Sequence, residues 1–91
     1  MEFEWHNEKA TSNLKKHKVE FEEARTSFDD PLFIAFEDPD HSSEENRFIL
    51  MGESKEGRLL VVCYTMRGDV IRLISARKAT PAERRYYEQE S

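Results

Sequence analysis

The stretch RLLVVCYTMRGDVIRLISARKATPAERRYY, residues 58–87, decides the fold. Arg58 to Met66 and Val70 to Arg77 are rich in β-branched and aromatic residues and are separated by Arg67, Gly68 and Asp69, so they form two strands joined by a tight turn, necessarily antiparallel. Thr80 then offers a side-chain oxygen to cap a helix and Pro81 occupies the first helical position. Glu83 stands three residues after the cap, where its carboxylate can return a hydrogen bond to the Thr80 N–H. A helix therefore begins just past the end of the second strand.

Upstream, Arg47 to Gly52 (RFILMG) and Leu32 to Glu37 (LFIAFE) read as two further strands, the latter buried on at least one face. Between them Asp38 to Asn46 (DPDHSSEEN) holds no hydrophobic residue and is expected to be an exposed loop, and Ser54 to Gly57 supplies a turn. Phe3 and Trp5 alternate with Glu2, Glu4 and His6, the pattern of a short first strand. Asn7 is placed to cap a helix from Glu8 to His17 whose apolar stripe is Ala10 and Leu14. A second helix carries Phe21, Ala24 and Phe28 on one face and is stopped by Asp29, Asp30 and Pro31. Strand, two helices, four strands in meander and a helix predict an α+β fold: a small antiparallel β-sheet with two N-terminal helices packed on it and a C-terminal helix, all helices on one side. The expected core is Trp5, Leu14, Phe21, Ala24, Phe28, Ile49, Leu60, Val62, Ile71 and Leu73.

Ninety-one residues form one domain, 1–91, too small to hide a second module. The formal charge of −5 argues against general nucleic-acid binding, yet residues 1–57 carry −8 and residues 58–91 carry +3, so the C-terminal part can hold an anion. Cys63, the single cysteine, lies in an apolar strand and is expected to be a buried small hydrophobe. No apolar run is long enough for a signal peptide or membrane span, which places the chain in a reducing cytoplasm with no membrane partner.

Three constellations bear chemistry. His41 sits among Asp38, Asp40, Glu44 and Glu45, but the spacing fits no defined metal site, so no metal and no cofactor is expected. Cys63 has apolar neighbours that raise a thiol's pKa, and Ser75 has no histidine beside it in sequence, so neither is a strong nucleophile. The third is the set of guanidiniums and phenols at positions 47, 67, 72, 77, 84, 85, 86 and 87. A guanidinium is a planar fork of donors suited to phosphate, and aromatic rings stack on unpaired bases, a composition that suits single-stranded RNA. Strand parity sets Arg72 and Arg77 on opposite faces; they share a site only if the strand bulges or Arg77 swings round from its end. The Lys15, Lys16, His17 and Lys18 run is the solvated side of a helix or a contact to phosphate or an acidic partner.

The segments WHNEKATSNLKKHKVEFEEA (5–24), FDDP (28–31), ENRF (45–48), GRLLVV (57–62) and IRLISARKATPAERRYY (71–87) resemble the BrnT family of bacterial type II toxins nearly end to end. The most specific parts are K-x-x-x-N-x-x-K-H-x-V-x-F-x-E-A, here Lys9, Asn13, Lys16, His17, Val19, Phe21, Glu23 and Ala24, and I-R-x-I-S-A-R-x-A-x-x-x-E-R from Ile71 to Arg84. The resemblance implies a RelE-like ribonuclease fold, inhibition of translation by RNA cleavage, and neutralisation by a small BrnA-like antitoxin that binds operator DNA, so that DNA is a partner only through the antitoxin. Two positions depart from the family pattern. His6 stands where an Asp commonly follows the Trp, and Lys18 stands where a Gly commonly follows the His, at a point where the chain can leave the helix in a left-handed conformation.

RNA can be cleaved without metal if a base removes the 2′-hydroxyl proton, cations stabilise the charge gathering on phosphorus, and an acid protonates the leaving 5′-oxygen. Arg47, Arg67 and Arg77, with Arg72 as a fourth, are assigned to phosphate and transition-state charge, Ser75 to positioning, and Tyr87 to acid–base work. Lys78, Arg84, Arg85 and Lys16 are assigned to RNA binding. No His, Lys or Glu stands out as the general base. The alternative is a non-catalytic interaction domain in which the same arginines dock an acidic partner segment, a reading that the net acidity favours.

Overall fold

In the computed structural model, which describes residues 1–40 and 46–90, the chain runs β1 (Glu2–Glu4), α1 (Asn7–His17), α2 (Phe21–Thr26), a 3-10 turn (Ser27–Asp29), β2 (Ile34–Glu37), β3 (Arg47–Glu53), β4 (Leu59–Arg67), β5 (Val70–Lys78) and α3 (Pro81–Glu90). The β4–β5 hairpin closes on Gly68 and Asp69, with Arg67 opposite Val70; Gly68 carries φ +63°, a conformation that costs little only without a Cβ. At α3 the capping box forms as its sequence dictates. The Glu83 N–H donates to Thr80 Oγ1 at 3.1 Å and the Thr80 N–H to Glu83 Oε1 at 2.9 Å.

The sheet is mixed rather than antiparallel throughout. Its order is β1-β5-β4-β3-β2; the β2–β5 meander is antiparallel, but β1 joins the β5 edge in parallel, Phe3 opposite Ile71. The helices also divide between the two faces. Val19, Phe21 and Ala24 pack on Leu50, Leu60, Val62, Tyr64, Ile71, Leu73 and Ala76, with Phe3, Trp5 and Phe28 at the margin. On the reverse face Tyr87 of α3 packs with Met51, Leu59 and Val61, and Ile49 belongs here rather than to the main core. Strand alternation explains the split, since Val61 and Val62 must point to opposite faces and both are buried.

The 32–37 strand is shorter and less buried than expected: Leu32 and Phe33, 53% and 45% exposed, precede β2, and Phe36 on this edge strand is 39% exposed. The expectation of an exposed 38–46 loop fails at Asp38, which is buried and whose N–H donates to the Arg47 carbonyl at 2.9 Å; residues 41–45, including His41, Glu44 and Glu45 of the weighed metal cluster, lie outside the described residues. Gly52 is dictated by a close approach, because a Cβ there would come within 2.5 Å of the Ser27 carbonyl oxygen. Asp30 ties the same region together: its carboxylate accepts from the N–H groups of Leu32 and Glu53 and from the Tyr87 hydroxyl, bringing α3 to the β2–β3 edge.

The largest departure is on α1. Leu14 is 42% exposed, and the residue that docks the helix is Asn13, at 6% exposure. Its amide nitrogen donates to the carbonyls of Val19 (2.9 Å) and Ala76 (2.8 Å), and its Oδ1 accepts the Ala76 N–H at 3.0 Å. β1 is paired with β5 only as far as Arg72, and beyond that point the Asn13 carboxamide stands in for the missing strand at Ala76. Asn7 is the first helical residue rather than the cap; His6 is the cap, with no side-chain bond to the helix end. At the other end Lys18 adopts φ 61° and ψ 33°, the left-handed exit that Gly would make without strain. The Arg58 guanidinium donates to the Lys18 carbonyl at 3.2 Å and grips the buried carboxylate of Glu23, which also accepts from Ser54 Oγ at 2.7 Å.

Replacing Asn13 by Ala strands two carbonyls and one N–H in the interior, and unsatisfied buried groups cost about 1–3 kcal/mol each. Asn13→Ala is expected to lower stability by about 3 kcal/mol in urea melts, and Asn13→Asp by more, since its charge faces two carbonyl oxygens. A loss under about 1 kcal/mol in both variants would show that the carboxamide is not the anchor.

Candidate functional site

The parity problem of β5 is solved by a bulge. Cys63 pairs with Ser75 but Tyr64 with Leu73, so Ile74 is the extra residue and the strand changes sidedness there. Residues directly opposite in a sheet share a face, so the rows Arg47–Thr65–Arg72, Ile49–Cys63–Ser75 and Met51–Val61–Arg77 all lie on the α3 side. Arg67, two residues beyond Thr65, belongs with them. The sheet thus brings Arg47, Arg67, Arg72, Ser75 and Arg77 to one face, flanked by α3.

Three of these arginines already have carboxylate partners. Arg77 makes a two-pronged pair with Glu83, Nη1 to Oε1 at 2.7 Å and Nη2 to Oε2 at 2.8 Å. That guanidinium, against the opposing effect of burial, holds the Glu83 carboxyl down at about 2, and Glu83 in turn raises Arg77. Arg72 donates to Glu4 Oε2 at 2.8 Å and contacts the His6 ring, fastening β1 and the start of α1; Arg67 lies 3.7 Å from the same Glu4 oxygen. Arg47 is half-buried at the β3 start, and Ser75 is half-buried opposite Cys63.

Tyr87 does not join this face as a reagent. It is buried in the second core and donates to Asp30 Oδ2 at 2.5 Å; burial first, then the Asp30 carboxylate, pushes its hydroxyl up to about 12. A phenol so held is a structural bolt for α3 and neither a ready base nor a ready acid. Nor does the fold gather the RNA-binding set. Lys78 is exposed at the end of β5 opposite Leu60, on the other face from Arg77; Arg84 and Arg85 are exposed on α3; Lys16 lies on α1.

Two concave surfaces adjoin β5 and α3. One, about 350 Å³, is lined by Phe36, Met51, Ala82, Glu83 and Tyr86. The other, about 230 Å³, lies between α1 and the bulged part of β5 and is lined by Lys9, Ser12, Asn13, Lys16, His17, Ile74 and Ser75. Sequence reasoning missed this second cleft. Lys9, Asn13, Lys16 and His17 stand at i, i+4, i+7 and i+8, which is one helical face, but only the docking of α1 shows what that face overhangs. Among the described residues no three His, Cys, Asp or Glu side chains converge as metal ligands, and no helix is long and apolar enough to cross a membrane.

Residues 5–83 match the family model described as ribonuclease toxin, BrnT, of type II toxin-antitoxin system. The fold is similar to the crystal structure of the Brucella abortus ribonuclease toxin BrnT, with a TM-score of 0.65 and 22% sequence identity over 88% of this chain and 97% of that one. No curated protein matches the chain.

The Arg77–Glu83 pair has a pH signature. Glu83 is lowered in the folded state, so its contribution is present above the ordinary glutamate value of about 4.3 and is lost as pH falls toward about 2. In Glu83→Gln the acid-side fall in melting temperature between pH 5 and pH 2 is expected to be shallower than in the wild type. Parallel profiles would mean that the pair is not held in solution.

Proposed function

The chain belongs to the BrnT family of ribonuclease toxins of type II toxin-antitoxin systems, and we propose from this that it is an endoribonuclease that cleaves RNA without a metal, inhibits translation and works in the cytoplasm. We relate its mixed sheet flanked by helices to the RelE-like ribonuclease fold. The observation that carries the proposal is the Ile74 bulge, which brings Ser75 and Arg77 onto the face that already holds Arg47, Arg67 and Arg72. Guanidiniums aimed at a phosphate stabilise the charge that gathers on its oxygens during in-line attack by the 2′-hydroxyl, and they do so without a Lewis acid. The existing carboxylate partners are an argument for precise placement. Glu83 and Glu4 hold the forks of Arg77 and Arg72 in fixed orientations before any phosphate arrives.

The same face is the proposed contact for the antitoxin, a BrnA-like protein through which operator DNA would be reached. A partner segment with carboxylates would compete with RNA for Arg47 and Arg72, and an apolar side chain of that segment has the groove between Phe36, Met51 and Tyr86 to enter. The rival, a non-catalytic domain docking an acidic segment, draws on the same groove and the same arginines.

Activity separates the two. Expression without an antitoxin is expected to arrest growth, and the purified protein is expected to cut RNA in the presence of a chelator. Arg47→Ala should lower the cleavage rate on the order of a hundredfold in a chain that is still folded by circular dichroism. Intact RNA together with undisturbed growth would leave only the interaction domain.

A further inference from the structure

The K-x-x-x-N-x-x-K-H-x-V-x-F-x-E-A segment divides in two once its residues are placed. Asn13, Val19, Phe21, Glu23 and Ala24 are absorbed by the fold: Asn13 grips β5, Glu23 holds Arg58, and Val19, Phe21 and Ala24 are core. Lys9, Lys16 and His17 do no such work. Among the described residues the side chains of these three have no ion-pair or hydrogen-bond partner, and all three line the cleft over the β5 edge.

That cleft occupies a gap in the sheet edge. β1 stops pairing at Arg72, the Asn13 carboxamide resumes at Ala76, and between them the bulged Ile74 and Ser75 are left to line an opening. The lining residues include two lysines, a histidine and two serines and no carboxylate, in a protein of net charge −5. On the neighbouring face, by contrast, Arg67 and Arg72 share Glu4 and Arg77 is held by Glu83. An anion entering the cleft displaces nothing. At about 30 Å³ per water-sized group, about 230 Å³ admits a phosphate and part of its ribose.

We infer that the α1–β5 cleft completes the arginine face at their shared Ser75, with Lys9 and Lys16 holding the phosphate whose charge the arginines stabilise and His17 as the general base; this rests on the ribonuclease reading above. Neutral His17 takes the 2′-hydroxyl proton as O2′ forms its bond to phosphorus, and the P–O5′ bond breaks with its electron pair on O5′. Solvent protonates O5′, and the His17 imidazolium returns its proton to solvent. The products are a 2′,3′-cyclic phosphate and a 5′-hydroxyl, with no oxidant or reductant required. His6, the other histidine among the described residues, is engaged by Arg72. Ser75 lines the cleft and also sits in the row opposite Cys63, so it links the cleft to the arginine face.

The experiment compares wild type, His17→Gln and Lys16→Gln for single-turnover cleavage of an RNA oligonucleotide, and for affinity toward the same oligonucleotide made uncleavable by a 2′-deoxy sugar at the cut site. His17→Gln is expected to lower the cleavage rate about a hundredfold or more with affinity unchanged. The charged groups lining the cleft with His17 are Lys9 and Lys16 of its own helix, and β5 contributes only Ile74 and Ser75. Lys16→Gln is expected to weaken binding of the uncleavable strand. If His17→Gln fails to fold, the histidine ring resonances of the wild type decide: the uncleavable strand must shift those of His17. A wild type that cuts RNA while His17→Gln cuts it equally well, or unmoved His17 resonances, overturns the cleft assignment alone. A wild type that cuts no RNA overturns the ribonuclease reading and the general-base role with it.

Discussion

A single carboxamide carries the architecture. Asn13 offers one acceptor and two donor hydrogens, and the fold uses all three, at the Ala76 N–H, the Ala76 carbonyl and the Val19 carbonyl. Backbone groups at a sheet edge that is covered by a helix rather than a strand would otherwise be buried without partners. A side chain that imitates a peptide group lets α1 close the edge where β1 ends, and it also pins the left-handed turn at Lys18 that redirects the chain into α2. An apolar residue at position 13 would bury comparable area and leave three polar groups unsatisfied.

From that constraint the distribution of charge follows. With Asn13 turned inward, the residues one turn before and after it on the same helical face project over the β5 edge, so Lys9, Lys16 and His17 gather where the sheet is open. The arginines of the strands take a different role. Arg58 closes the end of α1 against Glu23, Arg72 ties β1 through Glu4, and Arg77 ties α3 through Glu83. An acidic protein can thus present a cationic surface on both sides of one strand, because its carboxylates are spent on orienting guanidiniums or lie elsewhere.

The parts of the fold legible in the sequence were those written in neighbouring residues. The α3 capping box joins residues three positions apart, and the hairpin is set by its turn, where Arg67 pairs with Val70. The left-handed exit at Lys18 was legible only through the resemblance, in which a Gly commonly takes that position. What was not legible depends on distant partners. Leu14 looked like the docking residue because it is apolar, whereas the bond that decides the helix's rotation reaches 63 positions along the chain to Ala76. The side of the sheet taken by α3, the parallel entry of β1 and the exposure of β2 are likewise choices among packings that periodicity alone leaves open. For the candidate site, Arg72, Ser75 and Arg77 were identifiable by type, but a bulge has no reliable local signature, and the cleft joins two segments almost sixty residues apart. Tyr87 was misread because a tyrosine beside arginines looks reactive until its hydroxyl is seen to serve Asp30.

The most direct test of the Asn13 clamp is amide hydrogen exchange at Ala76, whose N–H has a side chain as its acceptor where a central strand would have a backbone carbonyl. Protection as deep as that of interior β4 amides such as Val62, lost only with global unfolding, is the result this account predicts. Exchange of Ala76 orders of magnitude faster than Val62 would contradict it, since the edge would then be open and nothing would hold α1 over it.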